Sequence, residues 1–372
     1  MAQRQAVLAD YKENKLNFMK TKKLIAGLTI LLALTTSVFA KTKKSDKANG
    51  KLKIVTTIFP EYDWTREILG DKASNVELTL LLGNGVDLHS YQPSIQDIAK
   101  ISTADIFIYV GGESDGWVKD ALKNAKNKKM KVINLLESLG DKVKAEEVKE
   151  GMQAEEEDEH EHHHHDGDHD HEVHDHHEAE EHHHHHHDDD DEEVEYDEHV
   201  WLSLRNAKIL STEICSALCE KDAANAAAYK ANLASYTARL DALDSKYAAA
   251  VKAGKKNTIL FGDRFPFRYL VDDYKLDYYA AFVGCSAETE ASFETVIFLA
   301  KKVDELGLNS VLKIESGDGK IARTIIQNSK NKNSKVLSMD SIQSTTAKQA
   351  AAGVTYLKIM ESNLAVLEEA LK

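Results

Sequence analysis

Short β-branched, apolar runs recur along this chain, each followed by a segment of helical character, and that alternation leaves few folds open. KLKIVTTI (51–58), VELTLLL (76–82), IFIYVG (106–111) and KVINLL (131–136) have the length and composition of strands. Between them one helix begins at Pro60, carries Trp64, Ile68 and Leu69 and stops at Gly70; others fall near 94–102 and 117–126. Strands separated by helices pair in parallel, with the helices covering the sheet faces. A second set follows: TILFG (258–262), YYAAF (278–282), SVLKI (310–314) and KVLSM (335–339), with helices expected near 267–274, 292–306, 320–330 and 345–371. Residues 223–252 are rich in Ala, Leu, Tyr, Lys and Asp and contain no Gly or Pro. Fully helical, that stretch would be roughly 45 Å long, more than one small domain needs. The expected fold is α/β: two small lobes, each a parallel sheet with flanking helices, joined by one long rigid backbone helix. The lobes are expected over 51–222 and 255–372, with the linking helix at 223–254. In open sheets of this kind ligands bind beyond the carboxyl ends of the strands, so a site is expected in the cleft between lobes.

One segment breaks the pattern. Sixteen of the 18 histidines lie between residues 160 and 187: His160, His162, His163, His164, His165, His169, His171, His174, His176, His177, His182, His183, His184, His185, His186 and His187. From 155 to 198 the chain holds 23 of its 62 acidic residues and no Lys or Arg. Such a tract cannot bury an apolar face, so the insert 150–198 is expected to be disordered. It still offers many imidazole and carboxylate donors, an auxiliary low-affinity set for a divalent cation. The formal charge of -15 therefore belongs to this insert. Elsewhere the lysines are scattered, with no basic, aromatic-interleaved patch of the kind that binds nucleic acid.

Residues 1–40 read as a leader with a signal peptide over 19–40. Lys20, Lys22 and Lys23 precede an apolar stretch, and Val38 and Ala40 suit the cleavage positions. A Lys/Ser/Asn-rich tether spans 41–50. No Cys lies near the cleavage point, which argues against a lipoprotein; an uncleaved leader would act as an anchor. Cys215 and Cys219 stand four apart on an expected helix and are poorly placed to bridge each other. Buried thiols are expected, with a bridge from Cys285 to one of them left open.

Two histidines lie outside the tract. His89 sits in GVDLHSYQPSIQDI (85–98), just past an expected strand, and His199 in EYDEHVWLSLRNA (195–207), just before an expected helix. These segments resemble the metal-binding substrate-binding proteins of bacterial ABC transporters, the zinc/manganese family of ZnuA-, AdcA- and TroA-like proteins. That family carries GxDPHxYEPTPxD and DPHVWLDP where this chain has GVDLHSYQPSIQD and DEHVWLSL, and His-rich acidic inserts before the second motif mark its zinc-specific members. The resemblance covers 51–372. It implies two lobes on a helix that resists bending, and metal ligands at His89 and His199.

The resemblance also implies a final ligand at Asp340, in VLSMDSIQ. At the family's third ligand position, a His or Glu, FGDRFPFRYLVDDYKL aligns Arg264, which stays protonated and has no lone pair to give. Asp263, one residue earlier, is the expected substitute; Glu61 and Glu315 near strand ends are alternatives, as is a pairing of Arg264 with a carboxylate such as Asp340. The loop GCSAETEAS (284–292) resembles another family segment, with Glu290 expected to cap or bridge. The implied function is capture of extracytoplasmic Zn(II), as transported ligand, for an inner-membrane ABC permease with its cytoplasmic ATPase. The protein is expected to be periplasmic and monomeric, with no nucleic-acid partner. Alternatives are a manganese-binding homologue and a metal-dependent surface adhesin. No HExxH helix, GxSxG elbow or Walker loop occurs, so an enzyme is not expected.

Overall fold

The computed structural model describes residues 50–153, 195–286 and 290–372. The leader, the tether as far as residue 49 and the tract with its sixteen histidines lie outside the described residues.

The first lobe is built on β1 (Leu52–Thr56), β2 (Val76–Leu80), β3 (Ile106–Tyr109) and β4 (Lys131–Asn134), all parallel in the order β2-β1-β3-β4. Its helices are α1 (Phe59–Leu69), α2 (Ile95–Ser102), α3 (Val118–Lys123) and α4 (Leu135–Leu139). Ser94 starts α2 by accepting the Asp97 N–H at 3.2 Å, while Asp97 accepts the Ser94 N–H at 3.1 Å, a reciprocal cap. The second lobe repeats the scheme with β5 (Thr258–Arg264), β6 (Asp277–Phe282), β7 (Ser310–Ile314) and β8 (Lys335–Met339), parallel in the order β6-β5-β7-β8. In each sheet the chain leaves the edge strand (β2, β6), passes over the first strand and resumes on its far side at β3 or β7, and that reversal of direction opens a crevice at the carboxyl ends.

Two helices follow the insert: α5 (Leu204–Lys221) and α6 (Ala226–Ala253). The 28 residues of α6 give a rod of about 42 Å. Its buried side chains are Tyr229, Tyr236, Leu240, Leu243 and Tyr247, a stripe at alternating three-, four- and seven-residue spacing. That stripe packs on α1 and α5 and, from the far end of the chain, on α11 (Tyr356–Ala370). Tyr247 donates to the Met360 carbonyl at 2.6 Å. One buried apolar cluster thus runs from Leu52 to Leu371 through both halves, with Trp64, Trp201 and Tyr356 fully buried at its centre.

The remaining helices of the second lobe are α7 (Arg268–Tyr274), α8 (Phe293–Leu306), α9 (Lys320–Asn328) and α10 (Ala347–Ala351). The single final helix expected over 345–371 is two helices here, α10 and α11. Gly353 takes φ +90°, and Thr355 opens α11 by accepting the Lys358 N–H at 3.2 Å. A left-handed glycine followed by an N-cap ends one helix and starts the next. β5 also runs two residues past the expected end and carries a bulge between Phe261 and Arg264. The two sides of the insert meet at its base: Ala145 and Tyr196 form an antiparallel bridge, and Glu146 N–H donates to the Glu195 carbonyl at 2.9 Å.

Trp201 ties the halves together. Its indole N–H donates to the Ser341 carbonyl at 2.8 Å, and its own carbonyl accepts the Tyr356 hydroxyl at 2.6 Å, both buried. Replacing Tyr356 with Phe removes the donor and leaves a buried carbonyl unpaired, which costs about 1–3 kcal/mol. Urea unfolding of Tyr356→Phe is expected to show a lower midpoint at unchanged slope; an unchanged midpoint would mean that this bond contributes nothing.

Candidate metal centre

His89 lies in a short turn, Leu88–Ser90, beyond the carboxyl end of β2. Asp87 caps that turn by accepting the His89 N–H at 3.1 Å. His199 precedes the turn Val200–Leu202 that leads into α5, and Asp197 accepts its backbone N–H at 2.8 Å. The two imidazoles meet at the cleft: His89 Nε2 is 3.2 Å from His199 Nε2. Each ring is held from behind at Nδ1. His89 Nδ1 faces Ser114 Oγ at 2.8 Å and Glu198 Oε2 at 3.6 Å, and His199 Nδ1 faces Asp197 Oδ1 at 3.0 Å. Such partners hold each ring from its far side and leave both Nε2 atoms turned to the cleft.

A third donor completes the group. Among the described residues, one set of three His, Cys, Asp or Glu side chains has ligand atoms all within 4.8 Å of one another: His89, His199 and Cys285. Cys285 follows β6. Gly284 makes its approach feasible, because a Cβ there would stand 3.1 Å from the His199 ring and 3.0 Å from the Phe265 carbonyl. His89 and Cys285 line a cavity of about 250 Å³ together with Ser114 and the carboxylates Glu113, Glu146, Glu195 and Glu198. Four acids and no base around this mouth favour a cation.

The carboxylates expected as ligands, Asp263 and Asp340, are not in that set of three. Asp263 lies at the bulge of β5; its oxygens accept the N–H groups of Arg264 at 2.9 Å and Ile314 at 3.2 Å. It lines a separate, larger cleft of about 440 Å³ with Asp87, Arg264 and Asp318. Asp340 accepts the Ile342 N–H at 2.8 Å, and burial and then neighbouring Glu315 push its carboxyl up to about 6. Of the alternatives, Glu61 is buried and accepts the Thr57 N–H at 2.8 Å, while Glu315 accepts the Ser341 N–H at 2.7 Å. Arg264 pairs with Asp87 rather than with Asp340.

Asp87 is therefore a junction between the lobes. With the Gln343 amide nitrogen directed to it, that nitrogen donates to both Asp87 oxygens at 2.8 and 2.9 Å, and the amide oxygen accepts from His199 Nε2 at 2.6 Å. Gln343 is buried, and the residue before it, Ile342, takes φ +65°, a strained conformation for a β-branched side chain. Cys285, Gln343 and the supporting Asp87, Asp197 and Glu198 were not singled out by sequence. Cys285 had one usable signal, its place just past the carboxyl end of the strand YYAAF.

Two parallel sheets facing a shared cleft, with donors from loops of both, make the architecture of a two-lobed solute-binding protein. A family model described as ZnuA, zinc-uptake complex component A, periplasmic, matches residues 54–370, and the chain belongs to that family. It is 32% identical over 343 residues to the zinc-binding lipoprotein AdcA of Streptococcus pneumoniae serotype 4, covering 92% of this chain and 60% of that relative. The chain thus spans only about 60% of the length of the AdcA relatives it matches. It is 27% identical over 351 residues to the high-affinity zinc uptake system protein ZnuA of Bacillus subtilis, covering 93% of this chain and 97% of that relative. Among solved structures, the Zn(II)-bound ZnuA-like domain of Streptococcus pneumoniae AdcA superposes with a TM-score of 0.60 at 25% identity, covering 87% of this chain and 99% of that one.

Burial, with the facing His199 ring, lowers the His89 pKa from its ordinary 6.5 to about 3. Its ring is therefore neutral and ready to ligate throughout the physiological range. Between those values the unfolded chain takes up a proton that the native protein refuses, so stability of the metal-free protein falls as pH drops from 6.5 toward 3. His89→Gln removes this titration. Relative to wild type, the variant is expected to gain stability between about pH 7 and about pH 4.5, read from thermal unfolding at both; a difference that does not change with pH would contradict the assignment.

Proposed function

We propose that this protein captures extracytoplasmic Zn(II) between its lobes, with His89 and His199 as ligands, and delivers it to an inner-membrane ABC permease driven by a cytoplasmic ATPase. The observation that carries this reading is the pair of Nε2 atoms 3.2 Å apart, each ring braced at Nδ1. A tetrahedral zinc with Zn–N bonds of about 2.0–2.1 Å separates its two nitrogens by about 3.3 Å. The pair is therefore close to loaded geometry before any ion arrives. Imidazole donors suit zinc better than manganese, and the names of the AdcA and ZnuA relatives point the same way. The protein binds and releases its cargo rather than transforming it. The His/acid tract serves as a weak collector beside this tight site, from which ions reach the cleft.

Calorimetric titration of protein lacking residues 155–194 separates the two classes of site. One tight zinc per chain should remain, and His89→Ala or His199→Ala should weaken it by about 100-fold or more. If the deletion abolished all zinc binding, or if either histidine variant kept the parent affinity, the interlobe site would be rejected. In cells, loss of the gene is expected to impair growth under zinc chelation and to spare growth in zinc-replete medium. Equal growth in both media would count against the uptake role.

A further inference from the structure

The geometry points to Cys285 as a thiolate ligand of the same cation, making the tight site a His89–His199–Cys285 tripod and biasing it toward zinc and softer metals over manganese. This inference rests on the zinc-binding reading above and deepens it by naming the third donor. The Sγ of Cys285 and the nitrogens of His89 and His199 all lie within 4.8 Å of one another. A tetrahedral ion with Zn–N of about 2.0–2.1 Å and Zn–S of about 2.3 Å places sulfur about 3.6 Å from each nitrogen. The sulfur therefore has at most about 1.2 Å to close, within reach of a side-chain adjustment.

The backbone is arranged for that approach. Gly284 lets the loop after β6 lie against the His199 ring, where even a Cβ would be tightly crowded. Glu146 accepts the Cys285 N–H at 3.1 Å and fixes the loop from the opposite side. The position that would otherwise supply a third donor is closed to one: Arg264 cannot ligate and is held by Asp87. Asp263 is occupied by two backbone N–H groups. Cys285 is partly exposed and unbridged, so it is open to an arriving ion. On binding, the S–H proton leaves to solvent and the sulfur lone pair forms the bond to the metal, with no change in oxidation state. A soft thiolate between two imidazoles selects Zn(II) and related ions and disfavours Mn(II), which prefers oxygen donors.

Cobalt(II) reports the sulfur directly, because a Co–thiolate bond gives a near-ultraviolet charge-transfer band that imidazole and carboxylate do not. The tract contains no Cys, so the full chain can be used. The purified chain with one equivalent of Co(II) should show the band. Cys285→Ser, His89→Ala and His199→Ala should each lose it, and the double change Cys215→Ser, Cys219→Ser should retain it. Cys285→Ser should also lower tight zinc affinity by at least about tenfold and narrow the preference for zinc over manganese. Tight Co(II) binding that needs both histidines but shows no thiolate band overturns the cysteine assignment and leaves the zinc site standing. A band that survives both histidine changes overturns the tripod and the interlobe site together. As a check free of variants, one equivalent of Zn(II) should slow maleimide labelling of Cys285 in the wild-type chain at least about tenfold; an unchanged labelling rate overturns the inference.

Discussion

Two imidazole nitrogens 3.2 Å apart, each ring braced at Nδ1, stand at the separation that two ligands of one tetrahedral cation take. The cleft is organised around that pair. Asp197 and Ser114 orient the rings, Glu198 stands behind both, and Asp87 fixes the His89 turn while anchoring Arg264 from the opposite lobe. Burial raises the Glu198 carboxyl above the usual range, so this charge too is better tolerated once a cation arrives. In the proposed role, the acids at the mouth would supply the attraction and the buried rings the selectivity.

Holding Cys285 and Gln343 of the second half against the two imidazoles of the first requires that the lobes not drift. The rod α6 provides part of that stiffness, because its buried stripe packs on helices from both ends of the chain. Trp201, directly after the site, adds buried hydrogen bonds to Ser341 and Tyr356. The segment before the insert contributes as well. Lys144 N–H donates to Tyr269 Oη at 3.0 Å and Gln153 N–H to the Ala281 carbonyl at 2.9 Å, which docks this stretch of the first half on the second. These bonds are distributed around the cleft, so the donors are positioned by the whole interface rather than by one hinge.

Much of this was legible in the sequence, and the physical reason is period. Strands buried on both faces read as continuous β-branched runs, so IFIY and SVLKI announced themselves, and the Gly- and Pro-free stretch after residue 222 announced the rod. His89 and His199 stood out because they sit at strand and helix boundaries in patterned segments. Most of the misses share a cause: they depend on contacts distant in the chain. Cys285 is one small residue in an unpatterned loop, and beyond its place after a strand its role shows only in its nearness to His89 and His199. Arg264 could be excluded as a ligand from its chemistry, but its partner Asp87 lies 177 residues away. The break at Gly353 was hidden inside a run of good helix formers, where one glycine costs only about 1 kcal/mol and so does not dictate an ending.

The most direct measurement is anomalous diffraction at the zinc absorption edge from crystals of the zinc-loaded chain. A single strong peak between the rings of His89 and His199, about 2.0–2.1 Å from each Nε2, is the expected result. A well-ordered cleft with no peak there, and zinc bound elsewhere on the folded lobes, would contradict the account.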